Sequence, residues 1–215
     1  MRTRKIIIIV LISLIIFPPI IDLILVRIKT PKLIEALSKS NKCVLDIDKI
    51  GKERINMLLT VEDPTFYKNN GLDFSSGGAG FTTISQGLGK ILYFDGFKPG
   101  IRKFRLLFLT RFALYPLVSK KEILNLFFNY VYLGNYQGKE IRGFEFASKI
   151  YYKKSFKELT TDEFLSLEAM LINPNEYSIF DNKVKNIDRV LRIKKLLECN
   201  CRPIDWKDDL LNGCK

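Results

Sequence analysis

The chain has 215 residues, which is enough for one domain with a sizeable core and too short for two. Its formal net charge of +12 favours an anionic partner such as nucleic acid, a membrane surface or a phosphorylated substrate, although a solvated lysine-rich surface gives the same excess. The sequence contains no histidine, which excludes Ser-His-Asp catalysis, Cys-His catalysis and histidine metal sites. A general base must therefore be a carboxylate, a lysine, a tyrosine or a cysteine.

An almost unbroken apolar run from Ile6 to Val26 opens the chain. As a helix this run would be roughly 30 Å long, about the thickness of the hydrocarbon core of a bilayer. No small-x-small cleavage site follows it, so we expect a retained transmembrane anchor with its flanks in residues 1–28. Basic residues lie on both sides, so the positive-inside rule leaves the topology open. Residues 29–50 are expected to be a linker, with Pro31 in the first turn of a short helix.

Few apolar runs have a period of two, so residues 51–198 are expected to form one mainly α domain. Its first helix should end near Pro64, because the residue before a proline avoids the helical region. That boundary places Glu62 and Asp63 at a helix end, where a side chain can face a cleft. The apolar face of this helix consists of Ile55, Leu58, Leu59 and Val61.

Three further helices are predicted towards the C-terminus. Capping boxes at Ser119–Glu122 and Thr160–Glu163 indicate two helix starts. Residues 199–215 should form a cysteine-containing tail, in which disulfides and free thiols remain equal alternatives. The last amphipathic helix is predicted from Val184, Ile187, Leu191 and Leu197, and the four cysteines are Cys43, Cys199, Cys201 and Cys214.

Four segments follow one another in an order that is typical of one enzyme family. They are EDPTFYKNNGLD (62–73), GFTTISQGLGK (80–90), Arg102-Lys103 followed by SKKEILNLFFNYVYLG (119–134), and LTTDEFLSLEAMLINPNEYS (159–178). These segments resemble the motifs of the peptidoglycan glycosyltransferases, which comprise the monofunctional transglycosylases and the transglycosylase domain of class A penicillin-binding proteins.

The resemblance implies a lysozyme-like, mainly helical domain with a cleft and a membrane-facing jaw. The implied reaction polymerises lipid II into glycan strands and releases undecaprenyl diphosphate. The implied partners are lipid II, the growing strand, lipids of the cytoplasmic membrane and a separate transpeptidase. A single-pass protein of the cytoplasmic membrane, with its domain on the periplasmic or extracellular side, is expected. No motif supports binding to nucleic acid.

The resemblance also assigns roles to individual residues. A sugar hydroxyl is a poor nucleophile and needs a base, and Glu62 matches the family's base. Asp63 matches a family position as well, although it could equally cap the turn before Pro64. Phe66 is expected to support the loop by packing.

Cations and polar groups are expected to hold the anionic leaving group. Lys90, Arg102 and Lys103 match basic family positions, and the guanidinium fork of arginine suits phosphate oxygens. Thr83 and Gln86 are expected to line the cleft, although threonine at a helix start is also an ordinary cap.

Three positions depart from the family pattern. Leu106 stands where the family has a second glutamate, Asn69 replaces a histidine, and Gly87 replaces a glutamine. In the family that glutamate is thought to organise the diphosphate with a divalent metal, Mg²⁺ or Mn²⁺. No cofactor is therefore certain, and metal dependence is left open.

Two other functions compete with an active transglycosylase. A pseudo-enzyme would keep the fold, and with it a scaffolding or lipid II-binding role in the cell wall, without turnover. A lysozyme-like hydrolase of finished peptidoglycan would use Glu62 but leave the cationic residues unexplained.

Overall fold

A computed structural model describes residues 2–76, 82–205 and 207–215. These residues form a mainly helical fold with one two-stranded antiparallel hairpin, which confirms the predicted mainly α class. Residues 77–81, the last two of which begin the second motif, lie outside the described part. The helices are α1 (Arg2–Ser38), α2 (Lys52–Glu62), α3 (Ile84–Tyr93), α4 (Ile101–Leu109), α5 (Lys120–Tyr130), α6 (Phe144–Tyr152), α7 (Thr161–Ala169) and α8 (Lys183–Leu197). The strands are β1 (Tyr132–Tyr136) and β2 (Lys139–Arg142).

The N-terminal helix α1 is longer than the sequence predicts. Pro31 lies inside it rather than in the first turn of a separate helix. Residues 29–50 also differ from the expected linker, because four of their apolar side chains are buried in the main core. Those side chains are Ile34, Leu45, Ile47 and Ile50. Among the described residues, no helix combines the length and the apolarity needed to cross a membrane.

Polar contacts attach α1 to the body of the domain. The guanidinium of Arg105 on α4 donates to both carboxylate oxygens of Asp22, at 2.7 and 2.9 Å. The hydroxyl oxygens of Thr30 and of Tyr93 on α3 lie 2.9 Å apart. Thr30 is fully buried, so this contact satisfies a polar group that would otherwise be costly. Helix α1 therefore braces both α3 and α4.

The main core is built around α5, whose side chains are buried on nearly every face from Ile123 onwards. Such a helix belongs to the interior of a domain. Four phenylalanines form an aromatic cluster beside it, with ring centroids 5.0 to 6.0 Å apart. They are Phe128, Phe144, Phe156 and Phe164.

Both predicted helix starts are confirmed. The hydroxyl of Ser119 accepts the N–H of Glu122 at 3.2 Å, and α5 begins at the next residue, Lys120. Thr160 and Glu163 form a reciprocal capping box at the start of α7, with contacts of 3.3 and 2.8 Å.

Helix α8 also forms, but three of the four residues predicted for its apolar face are exposed, whereas Leu197 is partly buried against the core. Val184 is 82% exposed, Ile187 is 48% exposed and Leu191 is 53% exposed. The face that packs against the domain includes a polar side chain and a charged one. It consists of Asn186, Arg189, Val190 and Ile193.

The C-terminal tail folds back onto α8. Cys201 and Cys214 form a disulfide, whereas Cys43 and Cys199 are free thiols, so both predicted alternatives occur in the chain. Arg189 on α8 donates to the carbonyl oxygen of Asp209 in the tail at 2.9 Å.

Candidate active site

A cleft of about 670 Å³ opens between the end of α2, helix α3, the β-hairpin and the segment that follows α7. Glu62 and Lys90 both line this cleft. Thr83, at the start of α3, also lines it.

Glu62 is the last residue of α2, because the chain leaves the helix at Asp63 before the predicted breaker Pro64. Burial is the main cause that raises the pKa of Glu62 to about 7. The positive charges of Arg189 and Lys90 act in the opposite direction, and the negative charge of Asp63 adds to the rise. A carboxyl group with such a pKa is ionised for part of the time near neutral pH and suits a general base.

Lys90 lies two turns into α3, with its ammonium nitrogen 5.3 Å from the ring centroid of Phe97. Burial lowers the pKa of Lys90, and the nearby charge of Glu62 partly restores it. The charges of Glu62 and Lys90 therefore interact electrostatically across the cleft. A desolvated cation at this place can stabilise negative charge that develops on a substrate.

Lys103 on α4 lies behind the cleft lining. Its ammonium group donates to the hydroxyl of Thr82 at 3.0 Å and to the side-chain oxygen of Gln86 at 2.8 Å. Burial, followed by repulsion from Lys90, lowers the pKa of Lys103 to about 8. Two of the three predicted cations, Lys90 and Lys103, are thus brought together.

Thr83 and Gln86 connect the start of α3 to this cluster. The hydroxyl of Thr83 accepts the backbone N–H of Gln86 at 3.2 Å and donates to the carbonyl oxygen of Gly71 at 2.7 Å. Thr83 is therefore both a helix cap and a lining residue. The fully buried Gln86 presents its oxygen to Lys103, and its amide nitrogen has no partner among the described residues.

Asp63 is buried and braces two motifs instead of facing the cleft. One carboxylate oxygen accepts the backbone N–H of Ile84 at 3.0 Å, and the other accepts the amide of Asn69 at 2.7 Å. Burial raises the pKa of Asp63 to about 6, and these hydrogen bonds oppose the rise. Asn69 also accepts the backbone N–H of Gly71 at 2.9 Å, so it has a structural role in place of the family histidine.

Arg102 is not brought to Glu62. It is exposed, and its guanidinium donates to the carbonyl oxygen of Gly96 at 3.0 Å. Gly96 lies at the edge of the cleft. Arg102 consequently supports the loop before α4 and is absent from the described cleft lining.

The described residues do not fit the divalent metal that the resemblance implies. Leu106 is fully buried in the apolar interior, so its position cannot present a ligand to the cleft. Across residues 2–76, 82–205 and 207–215, no three carboxylate or thiol groups lie close enough to hold a metal ion.

Gly87 makes room for an aromatic side chain. A Cβ atom at this position would lie 2.8 Å from the ring of Phe127, which also lines the cleft. A glutamine at position 87 would therefore force Phe127 to move. The departure from the family pattern is explained by this close approach of α3 and α5.

Sequence reasoning missed a charged cluster behind Glu62. Glu168 on α7 is fully buried, and neither of its carboxyl oxygens has a hydrogen-bond partner among the described residues. Burial raises the pKa of Glu168 well above its usual value, and the charge of Glu62 raises it further. Arg189, 3% exposed, opposes the rise for both carboxyls. The available signal was a glutamate in the mostly apolar stretch 164–171.

Three further cleft residues also lay outside the predicted site. Tyr132, Glu140 and Arg142 come from the two strands of the hairpin and form one wall of the cleft. Their alternating positions could have signalled this wall, but a four-residue strand is too short for a clear period-two pattern.

Comparison with known proteins identifies the family. The transglycosylase family profile matches residues 30–198, so the chain belongs to the transglycosylase family. The match begins within α1 and includes the segment that the sequence suggested was a linker. It also contains Glu62, Lys90 and the hairpin.

Individual relatives agree with that assignment. The chain is 31% identical over 151 residues to penicillin-binding protein 1B of Buchnera aphidicola, covering 64% of this chain and 20% of the relative. It is 32% identical over 154 residues to penicillin-binding protein 2a of Streptococcus pneumoniae, covering 66% and 20%. It is 31% identical over 175 residues to penicillin-binding protein 1A of Neisseria cinerea, covering 73% and 21%. The chain thus spans about a fifth of the length of these relatives.

Proposed function

We propose that the chain is a peptidoglycan glycosyltransferase that polymerises lipid II into glycan strands. The observation that carries this proposal is the placement of Glu62, with a pKa raised to about 7, in one cleft with Lys90. This arrangement supplies a base for a sugar hydroxyl and a cation for a diphosphate. Family membership supports the same activity.

The reaction needs one proton acceptor and one stabiliser of negative charge. The carboxylate of Glu62 takes the proton of the acceptor's 4-hydroxyl as that oxygen bonds to the anomeric carbon of the donor. The bond from that carbon to the diphosphate breaks, and its electron pair leaves with undecaprenyl diphosphate. Lys90 stabilises the leaving diphosphate, and Lys103 adds positive charge from behind. An anionic leaving group needs no proton donor, so a single base suffices.

Membrane attachment through the N-terminal helix is part of the proposal. Apolar side chains such as Ile15 and Phe17 are largely exposed along α1, and lysines and arginines flank the run. We place the domain on the outer side of the cytoplasmic membrane, where lipid II is used. The partners proposed are membrane lipids, the growing strand and a separate transpeptidase.

Incubation of the detergent-solubilised chain with lipid II tests the proposal. We expect polymeric glycan and released undecaprenyl diphosphate, with similar yields in Mg²⁺ and in EDTA, because the described residues do not fit a metal. No polymer under any metal condition would contradict the proposed activity. Soluble muropeptides released from sacculi would instead favour a hydrolase.

The rate of polymerisation should depend on pH over a narrow window. Glu62 must be ionised to act as a base, so kcat/KM should rise as the pH increases through about 7. Lys103 must be protonated to contribute charge, so kcat/KM should fall as the pH increases through about 8. A pH profile measured with lipid II checks both limbs. An acid limb near pH 4.5, the ordinary value for a glutamate, would show that burial does not raise the pKa of the catalytic base.

A pseudo-enzyme that binds lipid II without turnover is the second candidate. The pseudo-enzyme is favoured by the fully buried Leu106, which stands where the family has its second glutamate. No neighbouring residue of α4 supplies a carboxylate in its place. Losing a positioning group can cost much rate. Lipid II binding without polymer, unaffected by Glu62→Gln, would identify this alternative.

A further inference from the structure

The hairpin wall of the cleft carries an ion pair that the proposed mechanism does not use. Glu140 and Arg142 are two residues apart on β2, so their side chains project from the same face. Ile141 between them projects to the other face and is 1% exposed. Tyr132 on β1 is the register partner of Arg142. One face of the hairpin therefore presents all three polar-tipped side chains to the cleft.

Arg142 contacts both of the other side chains on this face. The guanidinium of Arg142 donates to the carboxylate of Glu140 at 2.9 Å and lies 5.5 Å from the ring centroid of Tyr132. The side chain of Arg142 is 42% exposed and that of Glu140 is 59% exposed. An ion pair this exposed contributes only about 0–1 kcal/mol. An anionic group on a substrate can therefore displace the Glu140 carboxylate from Arg142 with only a small loss of free energy.

We infer that Arg142 is a specificity-determining residue that binds a carboxylate of the substrate's stem peptide, in exchange for Glu140. This inference rests on the proposed function. Two groups on lipid II could supply the oxyanion: the diphosphate and the peptide carboxylates. Lys90 on α3, with Lys103 behind it, already serves the diphosphate, whereas Arg142 lies on the hairpin. Tyr132 beside it offers an aromatic surface to the sugar or peptide.

Two substrates that share the diphosphate but differ in their peptide carboxylates distinguish which of these two groups binds Arg142. One is lipid II with an intact stem peptide, and the other is lipid II with every stem carboxyl amidated. We expect Arg142→Gln to raise KM roughly tenfold or more for intact lipid II, with kcat little changed, because a charge-assisted hydrogen bond is lost. The same variant should leave KM for the amidated lipid nearly unchanged. Equal losses on both substrates, or no loss on either, would overturn the inference.

Matched variants separate this role from a structural one. Lys139→Gln removes a positive charge from the opposite face of the same strand and should leave KM unchanged for both lipids. Arg142→Lys should restore part of the affinity for intact lipid II. Glu140→Gln removes the competing carboxylate, so it should lower KM for intact lipid II by up to about fivefold. A rise in KM with Glu140→Gln would contradict the exchange.

Equilibrium binding keeps this inference separate from the proposed function. Titration of each lipid onto wild-type and Arg142→Gln protein needs no turnover. Arg142-dependent preference for intact lipid II without any polymer would sink the glycosyltransferase proposal and leave the binding role in place. Polymer formation without an Arg142-dependent preference for intact lipid II would support the glycosyltransferase proposal and overturn the binding role of Arg142.

Discussion

Glu62→Gln is expected to abolish polymerisation of lipid II and, at the same time, to stabilise the fold. The amide cannot accept the hydroxyl proton, and loss of a positioned base typically lowers the rate by about 10²- to 10⁴-fold. Measured as kcat, the loss should occur with little change in lipid II binding, because Gln has nearly the same shape.

The gain in stability follows from the raised pKa of Glu62. Between pH about 4.5 and about 7 the folded chain holds a proton on Glu62 that the unfolded chain releases. Stability from this group therefore falls as the pH increases through that window. Removing the carboxylate should raise the free energy of unfolding by roughly 1–3 kcal/mol at pH 8. Chemical denaturation at pH 8 and at pH 4 measures the difference, which should vanish at pH 4.

Glu53→Gln is the matched control. Glu53 lies in the first turn of the same helix, α2, and is exposed. The same substitution there should change neither kcat nor stability by more than a small amount, because surface substitutions usually have little effect. A comparable loss of activity in both variants would point to a general effect on α2 instead of a role in proton transfer.

Lys90→Gln should give the second largest loss of activity. Removing a single preorganised stabiliser of transition-state charge typically lowers kcat by about 10²- to 10³-fold. The pH profile should also move. Because Lys90 lowers the pKa values of both Glu62 and Lys103, its removal should shift both limbs to higher pH. Steady-state kinetics between pH 6 and 9 measure the rate and both shifts.

Lys98→Gln provides the control for this variant. Lys98 is an exposed lysine in the loop between α3 and α4, close in sequence to the cleft edge. It should leave the rate and both limbs of the profile unchanged. A loss of rate with Lys90→Gln but no movement of either limb would show that Lys90 acts away from Glu62.

Local rules predicted the elements that position the base. The apolar face that ends in Val61 and the breaker Pro64 were enough to place Glu62 at the end of α2, and the structure agrees. The capping residues Ser119 and Thr160 likewise marked the starts of α5 and α7. These features depend on neighbours within a few residues, so a single sequence reveals them.

The face of α8 could not be predicted in the same way. Its buried Asn186 donates to the carbonyl oxygens of Ser166 and Tyr177, both at 2.9 Å, and its buried Arg189 faces two carboxyls. These partners come from distant parts of the chain. A prediction from hydrophobicity alone therefore took the exposed side of α8 for its packed side.

The same reason explains the unexpected parts of the site. The charge of Glu62 raises the pKa of the fully buried Glu168 only because tertiary packing brings these two carboxyls, from distant parts of the chain, near each other. Arg102 matched a family motif, yet its guanidinium contacts Gly96 and stays outside the cleft. Motifs gave the residue types, and tertiary packing decided which of them meet.

The pH dependence of lipid II polymerisation tests most directly the central claim, that Glu62 is the base. The measurement compares lipid II polymerisation by wild-type, Glu62→Gln and Glu53→Gln proteins across pH 5 to 9. We predict polymer from wild type and Glu53→Gln with an acid limb near pH 7, and none from Glu62→Gln. Residual polymerisation by Glu62→Gln with the same acid limb would contradict the assignment of Glu62 as the base.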